Sequence, residues 1–251
     1  MKLFGKIGMN AYKKLNEMKL TKQENERYNR HLIIENFGDA AQLKLKEGRV
    51  LIIGAGGLGC PVIQYLVAAG VGKIGIVDGD TVSLSNLQRQ ILYSEDEIGL
   101  SKATIAAQKM AKLNSNIQIE VFNAFLTFEL ADEIFSQYDI VVGCTDSYAT
   151  RYLIDNKSIQ FQIPFVHGAI REFEGQLSVF NFKKSPSYAQ IFGCKPDELA
   201  RPGGVVGVTP GIIGSLMAME VVKILTGLGS VLSQKLLLYN GLDNSFKQIN
   251  Y

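Results

Sequence analysis

The sequence is poor in cysteine and carries almost no net charge. Three cysteines among 251 residues, Cys60, Cys144 and Cys194, are too few and too scattered for a disulfide framework or a CxxC metal site. Lys and Arg total 26 against 24 for Asp and Glu, so the formal charge is only +2. The sequence therefore lacks the basic footprint of a nucleic-acid-binding protein, and we expect no nucleic-acid partner.

The sequence also lacks an apolar run suited to a secretion signal or a membrane span. Residues 1–24 are rich in lysine but contain no apolar core. The longest uncharged stretch, 203–219, is interrupted by glycines and Pro210, whereas a spanning helix needs about 20 apolar residues. We expect a buried helix over 210–226 that ends at Gly227, and a cytoplasmic protein without a membrane partner.

The apolar content and the alternation of patterns indicate the fold. Hydrophobic residues make up 47% of the chain, which is ample for a packed core. No internal repeat or linker is visible, so we expect an N-terminal extension over 1–24 and a single domain over 25–251. Strand patterns lie at 49–54, 73–78, 117–122, 138–144 and 163–167, and helix patterns at 25–47, 58–69, 101–113, 128–136 and 147–160. This α/β alternation predicts a Rossmann-like, mostly parallel sheet with helices on both faces, and strand patterns at 174–182 and 235–240 suggest a C-terminal antiparallel extension.

A glycine-rich loop follows the first predicted strand. Gly54, Gly56 and Gly59 fit the pattern G-x-G-x-x-G, and Gly57 adds a fourth glycine. The first glycine allows a tight turn, the second lets the backbone approach a phosphate, and the third allows close packing of helix on strand. Asp78, about 20 residues further on, is placed to hold ribose hydroxyls. These features predict an adenine nucleotide, and by themselves favour NAD.

The segment after Asp78 shifts the prediction toward a triphosphate. It carries polar and charged side chains that a dinucleotide does not require: Asp80, Asn86, Arg89, Gln90 and, on the next helix, Lys102. A triphosphate concentrates more charge on its β and γ groups and needs fixed cations. The alternative is that Arg89 and Lys102 are ordinary solvated cations, as either would be when taken singly.

Asp146 follows the strand pattern at 138–144. Ligands of such sheets bind outside the carboxyl ends of the strands, where a carboxylate can hold Mg²⁺ together with phosphates and waters. The alternative is that Asp146 forms the N-cap of the helix that follows.

Seven segments in order carry a family resemblance. They are RYNRH at 27–31, GAGGLG at 54–59, DGDTVSLSNLQRQ at 78–90, GLSKA at 99–103, CTDS at 144–147, GAIREFEGQ at 168–176 and GVTPGIIGSL at 207–216. Over about residues 24–249 the sequence resembles the ThiF/MoeB/HesA family, the bacterial relatives of ubiquitin-activating enzymes. The resemblance implies an adenylyltransferase that uses ATP and Mg²⁺ to adenylate the C-terminal glycine of a small ubiquitin-like sulfur carrier protein, with release of pyrophosphate.

The resemblance assigns roles to individual residues. Asp78 would bind ribose, Asn86, Arg89 and Lys102 would hold the phosphates, and Asp146 would hold Mg²⁺. Members of this kind are homodimers in which an arginine reaches the ATP of the partner subunit. Arg30 matches that arginine, and His31 replaces the usual glutamine beside it. Arg30, Arg89, Lys102 and Asp146 are therefore the expected catalytic residues.

The sequence departs from the family at the cysteines. Many relatives bind a structural zinc through two CxxC pairs, but Ser187 and Gln190 occupy the positions of the first pair, so we expect no zinc. Cys194 lies in a predicted loop and is a candidate for covalent chemistry. Cys60 and Cys144 are expected in the core, as is His167, which is predicted to end the fifth strand. Arg171 and Gln176 are expected to support the site near the carboxylate substrate.

Three alternatives to carrier adenylation stay open. The acceptor of the adenylate could be a ribosomally made peptide in natural-product biosynthesis. The glycine loop with Asp78 alone would also suit an NAD-dependent oxidoreductase, although Arg30 and the SNLQRQ segment at 85–90 would then have no role. A catalytically silent scaffold would not need Arg89, Lys102 and Asp146 to be intact.

Overall fold

The computed structural model of the chain describes residues 19–193 and 203–251. Its strands are β1 Arg49–Ile53, β2 Lys73–Val77, β3 Gln118–Phe122, β4 Ile140–Gly143, β5 Phe165–Arg171, β6 Glu174–Phe180, β7 Lys235–Asn240 and β8 Ser245–Asn250. Its helices are α1 Lys22–Arg27, α2 Asn29–Leu32, α3 Gly38–Glu47, α4 Gly59–Ala69, α5 Lys102–Leu113, α6 Phe128–Ile134, α7 Tyr148–Phe161, α8 Tyr188–Phe192 and α9 Val208–Thr226. Short 3₁₀ turns cover Leu84–Asn86, Glu95–Glu97 and Phe135–Gln137.

The strands form one eight-stranded sheet in the order β3-β2-β1-β4-β5-β6-β7-β8. The first five strands in this order are parallel, and β6, β7 and β8 continue the sheet in antiparallel fashion. The strand order reverses between β1 and β4, which is where ligands bind in open α/β sheets. The predicted fold class, a Rossmann-like sheet with a C-terminal antiparallel extension, is confirmed.

Strand β1 shows why helices cover both faces of the sheet. Val50 and Ile52 belong to a core cluster with α4, α5 and α9, whereas Leu51 and Ile53 belong to a second cluster with α6, α7 and α8. Successive side chains of a strand point to opposite faces, so a continuous apolar run requires two buried layers.

Helix α9 lies in the core. Within the described ranges it is the one helix whose length and hydropathy would allow it to cross a membrane, a test that the core helix of a folded domain also passes. Its Ile213 and Met217 pack into Gly175 and Gly168, where an added Cβ would lie 2.3 Å from each side chain. The helix ends at Gly227, whose φ of 76° fits the left-handed C-cap that the sequence predicts.

Several elements differ from the predictions, among them helix α8, which lies in a stretch predicted to be a loop. The helix expected over 25–47 is divided into α1, α2 and α3. The first break is at Tyr28, whose ψ of 12° departs from helical values, and the second contains Asn36, whose φ of 65° is left-handed. Strand β5 continues past His167 to Arg171 because residues 168–171 pair with β6. Strand β8 was not predicted, and all six of its residues are exposed.

Candidate active site

The glycine loop connects β1 to α4 at the point where the strand order reverses. Gly54 has φ 100°, and a Cβ there would lie 2.5 Å from the carbonyl oxygen of Cys144 on the neighbouring strand end. A Cβ at Gly59 would lie 2.1 Å from the carbonyl oxygen of Gly54. No side chain caps the N-terminus of α4, so its N–H groups and positive dipole are available to an anion.

Side chains from two other segments cover the middle of this loop. A Cβ at Gly56 would lie 3.4 Å from Nε2 of Gln90, and one at Gly57 would lie 3.2 Å from Pro210 at the start of α9. The Gln90 side chain is buried, and its Oε1 has no hydrogen-bond partner among the described residues. An unsatisfied buried acceptor beside a phosphate loop is free to accept a donor from a ligand.

Asp78, directly after β2, is fixed by the loop itself. Its Oδ2 accepts the N–H of Ala55 at 2.7 Å and its Oδ1 accepts the N–H of Asp80 at 2.8 Å. Burial raises the pKa of Asp78 above its ordinary value, although both backbone hydrogen bonds oppose the increase. Each oxygen keeps a further lone pair, so the carboxylate is oriented and can still accept ribose hydroxyls.

Lys102 is not a solvated surface cation. Its side chain is 5% exposed, and its ammonium group pairs with Oδ2 of the half-exposed Asp80 at 2.9 Å. A buried ammonium group with one acidic partner keeps N–H donors for a phosphate. Asp80, expected from the sequence to bind the nucleotide, is also the acidic partner of Lys102.

Arg89 and Asn86 lie on the segment that covers the loop. Nη1 of Arg89 donates to the carbonyl oxygen of Ser85 at 3.1 Å, and the Cγ of Arg89 would lie 3.5 Å from a Cβ at Gly57. Nδ2 of Asn86 lies 3.5 Å from Oγ of Ser85. The structure thus brings the predicted cation, Arg89, to the edge of the phosphate loop, and Asn86 lies three residues before it on the same segment.

Asp146 lies in the turn between β4 and α7 and is exposed. The N-cap of α7 is Ser147, whose side chain accepts the N–H of Thr150, so the alternative that Asp146 caps this helix is wrong. Its carboxylate has no hydrogen bond or ion pair with the described residues. No cluster of three or more metal-binding side chains occurs in the described ranges. One free carboxylate fits Mg²⁺ held largely by nucleotide phosphates and water.

Comparison with known proteins shows to which family the chain belongs. The model of the family described as "ThiF family" matches residues 28–251. The chain belongs to the ThiF family. Its enzyme class, an adenylyltransferase, is confirmed by the relatives.

Two curated relatives of this ThiF-family chain carry that activity in their names. The sulfur carrier protein adenylyltransferase of Thermus thermophilus is 42% identical over 241 residues, 92% of this chain and 89% of the relative. The probable molybdopterin-synthase adenylyltransferase of Porphyra purpurea is 43% identical over 231 residues, 90% of this chain but 60% of the relative. The chain thus spans nearly the whole of one relative and less than two thirds of the other.

Solved structures agree with the fold. MccB of E. coli with ATP superimposes with a TM-score of 0.81 over 92% of this chain and 72% of MccB, at 21% identity. PaaA superimposes with a TM-score of 0.80 over 99% of this chain and 81% of PaaA, at 23% identity. At these identities the likeness shows the fold alone.

Arg30 of this ThiF-family chain lies on the short N-terminal helix α2. It is exposed on α2 and makes no hydrogen bond or ion pair with the described residues. Its neighbour His31 has a structural role: Nδ1 lies 2.9 Å from Oε1 of Gln42 on α3, and the ring packs against Tyr28 and Phe37.

Sequence reasoning missed two residues near the site. Phe125, 67% exposed, lies against Gly79, where an added Cβ would be 2.8 Å from the Phe125 ring. Phe125 follows the carboxyl end of β3, which is the neighbour of β2. This position after a strand end is the feature of the sequence that could have indicated a site residue. Arg151, on α7, is buried and donates to the carbonyl oxygen of Thr145. An arginine in a predicted helix gives no sign of burial.

Ser187 and Gln190, which stand where many relatives have the first pair of zinc-binding cysteines, form a helix cap. Oγ of Ser187 accepts the N–H of Gln190 at 3.2 Å, and Oε1 of Gln190 accepts the N–H of Ser187 at 2.8 Å. This reciprocal capping box begins α8. Cys194, the covalent candidate, lies outside the described residues.

The remaining predicted core residues are buried. Burial raises the pKa values of the Cys60 and Cys144 thiols, that of Cys60 to about 12, so neither is a nucleophile at neutral pH. His167 is buried within β5, with Nε2 at 3.4 Å from Nε2 of Gln176. Arg171 is exposed at the β5–β6 turn.

Proposed function

We propose that this chain adenylates the C-terminal carboxylate of a small ubiquitin-like sulfur carrier protein, using ATP and Mg²⁺ and releasing pyrophosphate. The observation that carries the proposal is the placement of two cations, Arg89 and Lys102, at one glycine loop, together with a free carboxylate, Asp146, after the neighbouring strand. A dinucleotide site needs the loop and Asp78 but neither the cations nor the metal-binding carboxylate.

The chemistry needs positioning and charge neutralisation rather than proton transfer. The carrier's carboxylate is ionised at neutral pH, so it can attack the α-phosphate without a general base. Asp78 orients the ribose, Phe125 offers an aromatic face to the base, and Arg89 and Lys102 stabilise charge on the phosphates as pyrophosphate leaves. Bound through Asp146, Mg²⁺ would neutralise phosphate charge.

We also propose that the protein acts as a cytoplasmic homodimer with Arg30 contributed in trans. Arg30 has no described contact with the loop, Lys102 or Asp146 of its own chain, although the resemblance assigns it to ATP. A symmetric dimer would use the same surface of both subunits and complete two equivalent sites.

ATP–pyrophosphate exchange tests the proposed activity. The purified chain is mixed with candidate carriers that end in Gly-Gly, with a ribosomal peptide that ends in a free carboxylate, and with Asp146→Ala as the matched variant. We expect exchange with a carrier and its loss in the variant. Exchange with the peptide alone would support the alternative acceptor. Exchange with neither, or exchange that survives Asp146→Ala, would refute the mechanism.

Covalent participation of Cys194 is tested separately. A carrier adduct that is cleaved by thiols and is lost in Cys194→Ala would establish a thioester step after adenylation, in which the Cys194 thiolate displaces AMP from the acyl-adenylate. If the carrier forms no adduct while pyrophosphate exchange is active, Cys194 takes no covalent part and the reaction ends at adenylation.

A further inference from the structure

The turn between β4 and α7 is held at the residues on either side of Asp146. The N–H of Cys144 donates to the carbonyl oxygen of Ile53 at 2.8 Å, which ties the start of the turn to β1. The N–H of Ser147 donates to Oγ1 of Thr145 at 3.2 Å, and Ser147 itself caps α7. The backbone of the turn is thus tied to β1, to α7 and to itself, while the Asp146 carboxylate stays exposed.

Arg151 binds this turn at the residue directly before Asp146. Arg151 is the fourth residue of α7 and is 8% exposed. Nε and Nη2 donate to the same carbonyl oxygen, that of Thr145, at 3.2 and 3.0 Å. The carbonyl of Thr145 and the N–H of Asp146 belong to one rigid peptide plane. Fixing this oxygen therefore fixes the position of the Asp146 nitrogen and Cα, from which the carboxylate extends.

The surroundings of Arg151 hold it in this geometry. Its guanidinium group lies 5.1 Å from the centre of the Tyr148 ring, which gives it a cation–π contact. A buried guanidinium group without bonded acceptors would be costly, so the two bonds to Thr145 are favourable for the arginine as well as for the turn.

We propose that Arg151 is a positioning residue for the metal-binding carboxylate: by holding the Thr145 carbonyl it directs Asp146 toward the divalent cation of the bound nucleotide. The proposal rests on the proposed function for the identity of the cation. It assigns Arg151 no contact with the nucleotide.

Direct cation binding tests this role without turnover. Mn²⁺ is titrated, by electron paramagnetic resonance, into the full chain saturated with a non-hydrolysable ATP analogue. In Arg151→Gln we expect about tenfold weaker Mn²⁺ binding, the loss of a hydrogen bond from a charged donor, and in Arg151→Lys partial recovery. Affinity for the analogue without metal should not change.

Lys157→Met is the matched control. Lys157 is a fully buried cation on the same helix, but it pairs with Asp132 and lies over the Phe128 ring, away from the turn. Its loss should lower the thermal midpoint without weakening Mn²⁺ binding. Unchanged Mn²⁺ affinity in folded Arg151→Gln, or equal weakening in Lys157→Met, would overturn the proposal. If Arg151→Gln does not fold, the Mn²⁺ affinity of Arg151→Lys is compared with that of wild type, and equal affinities would overturn the proposal.

The two proposals can fail separately. A wild-type chain that shows no pyrophosphate exchange with any acceptor refutes the proposed function. If that chain still binds Mn²⁺ with the analogue and loses the binding in Arg151→Gln, the positioning role of Arg151 stands.

Discussion

Two carboxylates, Asp146 just before α7 and Asp155 within it, differ in how many of their lone pairs the protein itself uses. Asp155 is buried, and its oxygens accept Nδ2 of Asn181 at 3.0 Å and the N–H groups of Tyr188 and Ala189 at 2.9 and 3.0 Å. Asp146 accepts nothing from the described residues. Because Asp155 is satisfied by the start of α8, it is a structural anchor, whereas Asp146 keeps its lone pairs for a cation.

Phe125 should contribute to nucleotide affinity through its ring face. We expect Phe125→Ala to raise the KM for ATP about tenfold, since base–aromatic stacking contributes about 1–3 kcal/mol. The value of kcat should change little because the ring is proposed to contact the base and not the reacting phosphates. Steady-state kinetics at saturating carrier check this, with Phe125→Tyr as the control that keeps the stacking face. An unchanged KM in the alanine variant would show that the nucleotide base does not stack on Phe125.

His167 should make the fold sensitive to acid. Burial, with a smaller contribution from the charge of Arg151, holds its pKa well below 6.5. The neutral form is thus favoured in the folded state, so this stabilisation is present above pH 6.5 and is lost as the pH falls below it. At pH 5 the loss is up to about 2 kcal/mol, from 1.36 kcal/mol per pH unit.

Urea unfolding of His167→Leu between pH 7.5 and 5 checks this dependence. The variant should lose less stability than wild type over that range. His31→Gln, which removes the chain's other histidine, should keep the wild-type dependence. Parallel pH curves for wild type and His167→Leu would contradict the prediction.

The sequence identifies site residues where a motif fixes their place in the fold. Asp78 and Lys102 follow from a strand end and a helix start around a glycine loop. Arg151 does not, because its burial depends on the tertiary approach of α7 to the β4 turn. For the same reason the pairing of Asp80 with Lys102 could not be read from their spacing.

At the scale of elements, the parallel half of the sheet was the predictable part. Strands β1, β2 and β4 are continuous apolar runs buried on both faces, and glycines or polar residues bound them. Strand β8 has no buried residue, so no apolar alternation marks it. The break between α2 and α3 contains left-handed backbone at Asn36, and the break between α1 and α2 is a single non-helical residue, Tyr28; residue content that is typical of a helix reveals neither.

The glycine loop should tolerate no side chain where β1 meets α4. In Gly59→Ala the new Cβ would meet the Gly54 carbonyl oxygen at 2.1 Å. The loop must then move, and we expect loss of measurable ATP binding and a lower thermal midpoint. Gly211→Ala is the matched control, because this glycine of α9 has no atom within 4 Å of the new Cβ.

Gly211→Ala should raise stability by about 1 kcal/mol, the helix-propensity difference between the two residues. Isothermal titration of ATP and thermal melts measure both variants. If Gly59→Ala binds ATP as tightly as wild type, the close approach of α4 to β1 is not needed for ATP binding.

For the whole molecule, the N-terminal helices are anchored to the domain while Arg30 is left exposed. Nη1 of Arg27 donates to the carbonyl oxygen of Leu113 at 3.0 Å, and Lys46 pairs with the buried Glu24 at 2.8 Å. The His31–Gln42 contact joins α2 to α3. An exposed arginine on an anchored element is suited to reach a neighbouring subunit without rearrangement of its own fold.

Mixing two inactive variants distinguishes action of Arg30 in trans from action within one chain. In a symmetric dimer, Arg30→Ala and Asp146→Asn each disable every site when alone. In a mixed dimer, the subunit that carries Arg30→Ala keeps Asp146 and receives Arg30 from its partner, so one site is complete. Random exchange of equal amounts makes half of the dimers mixed, and about a quarter of wild-type pyrophosphate exchange should return. Differently tagged variants report whether subunits have exchanged. Co-purification of both tags without recovered activity would place Arg30 in the site of its own chain or outside the reaction.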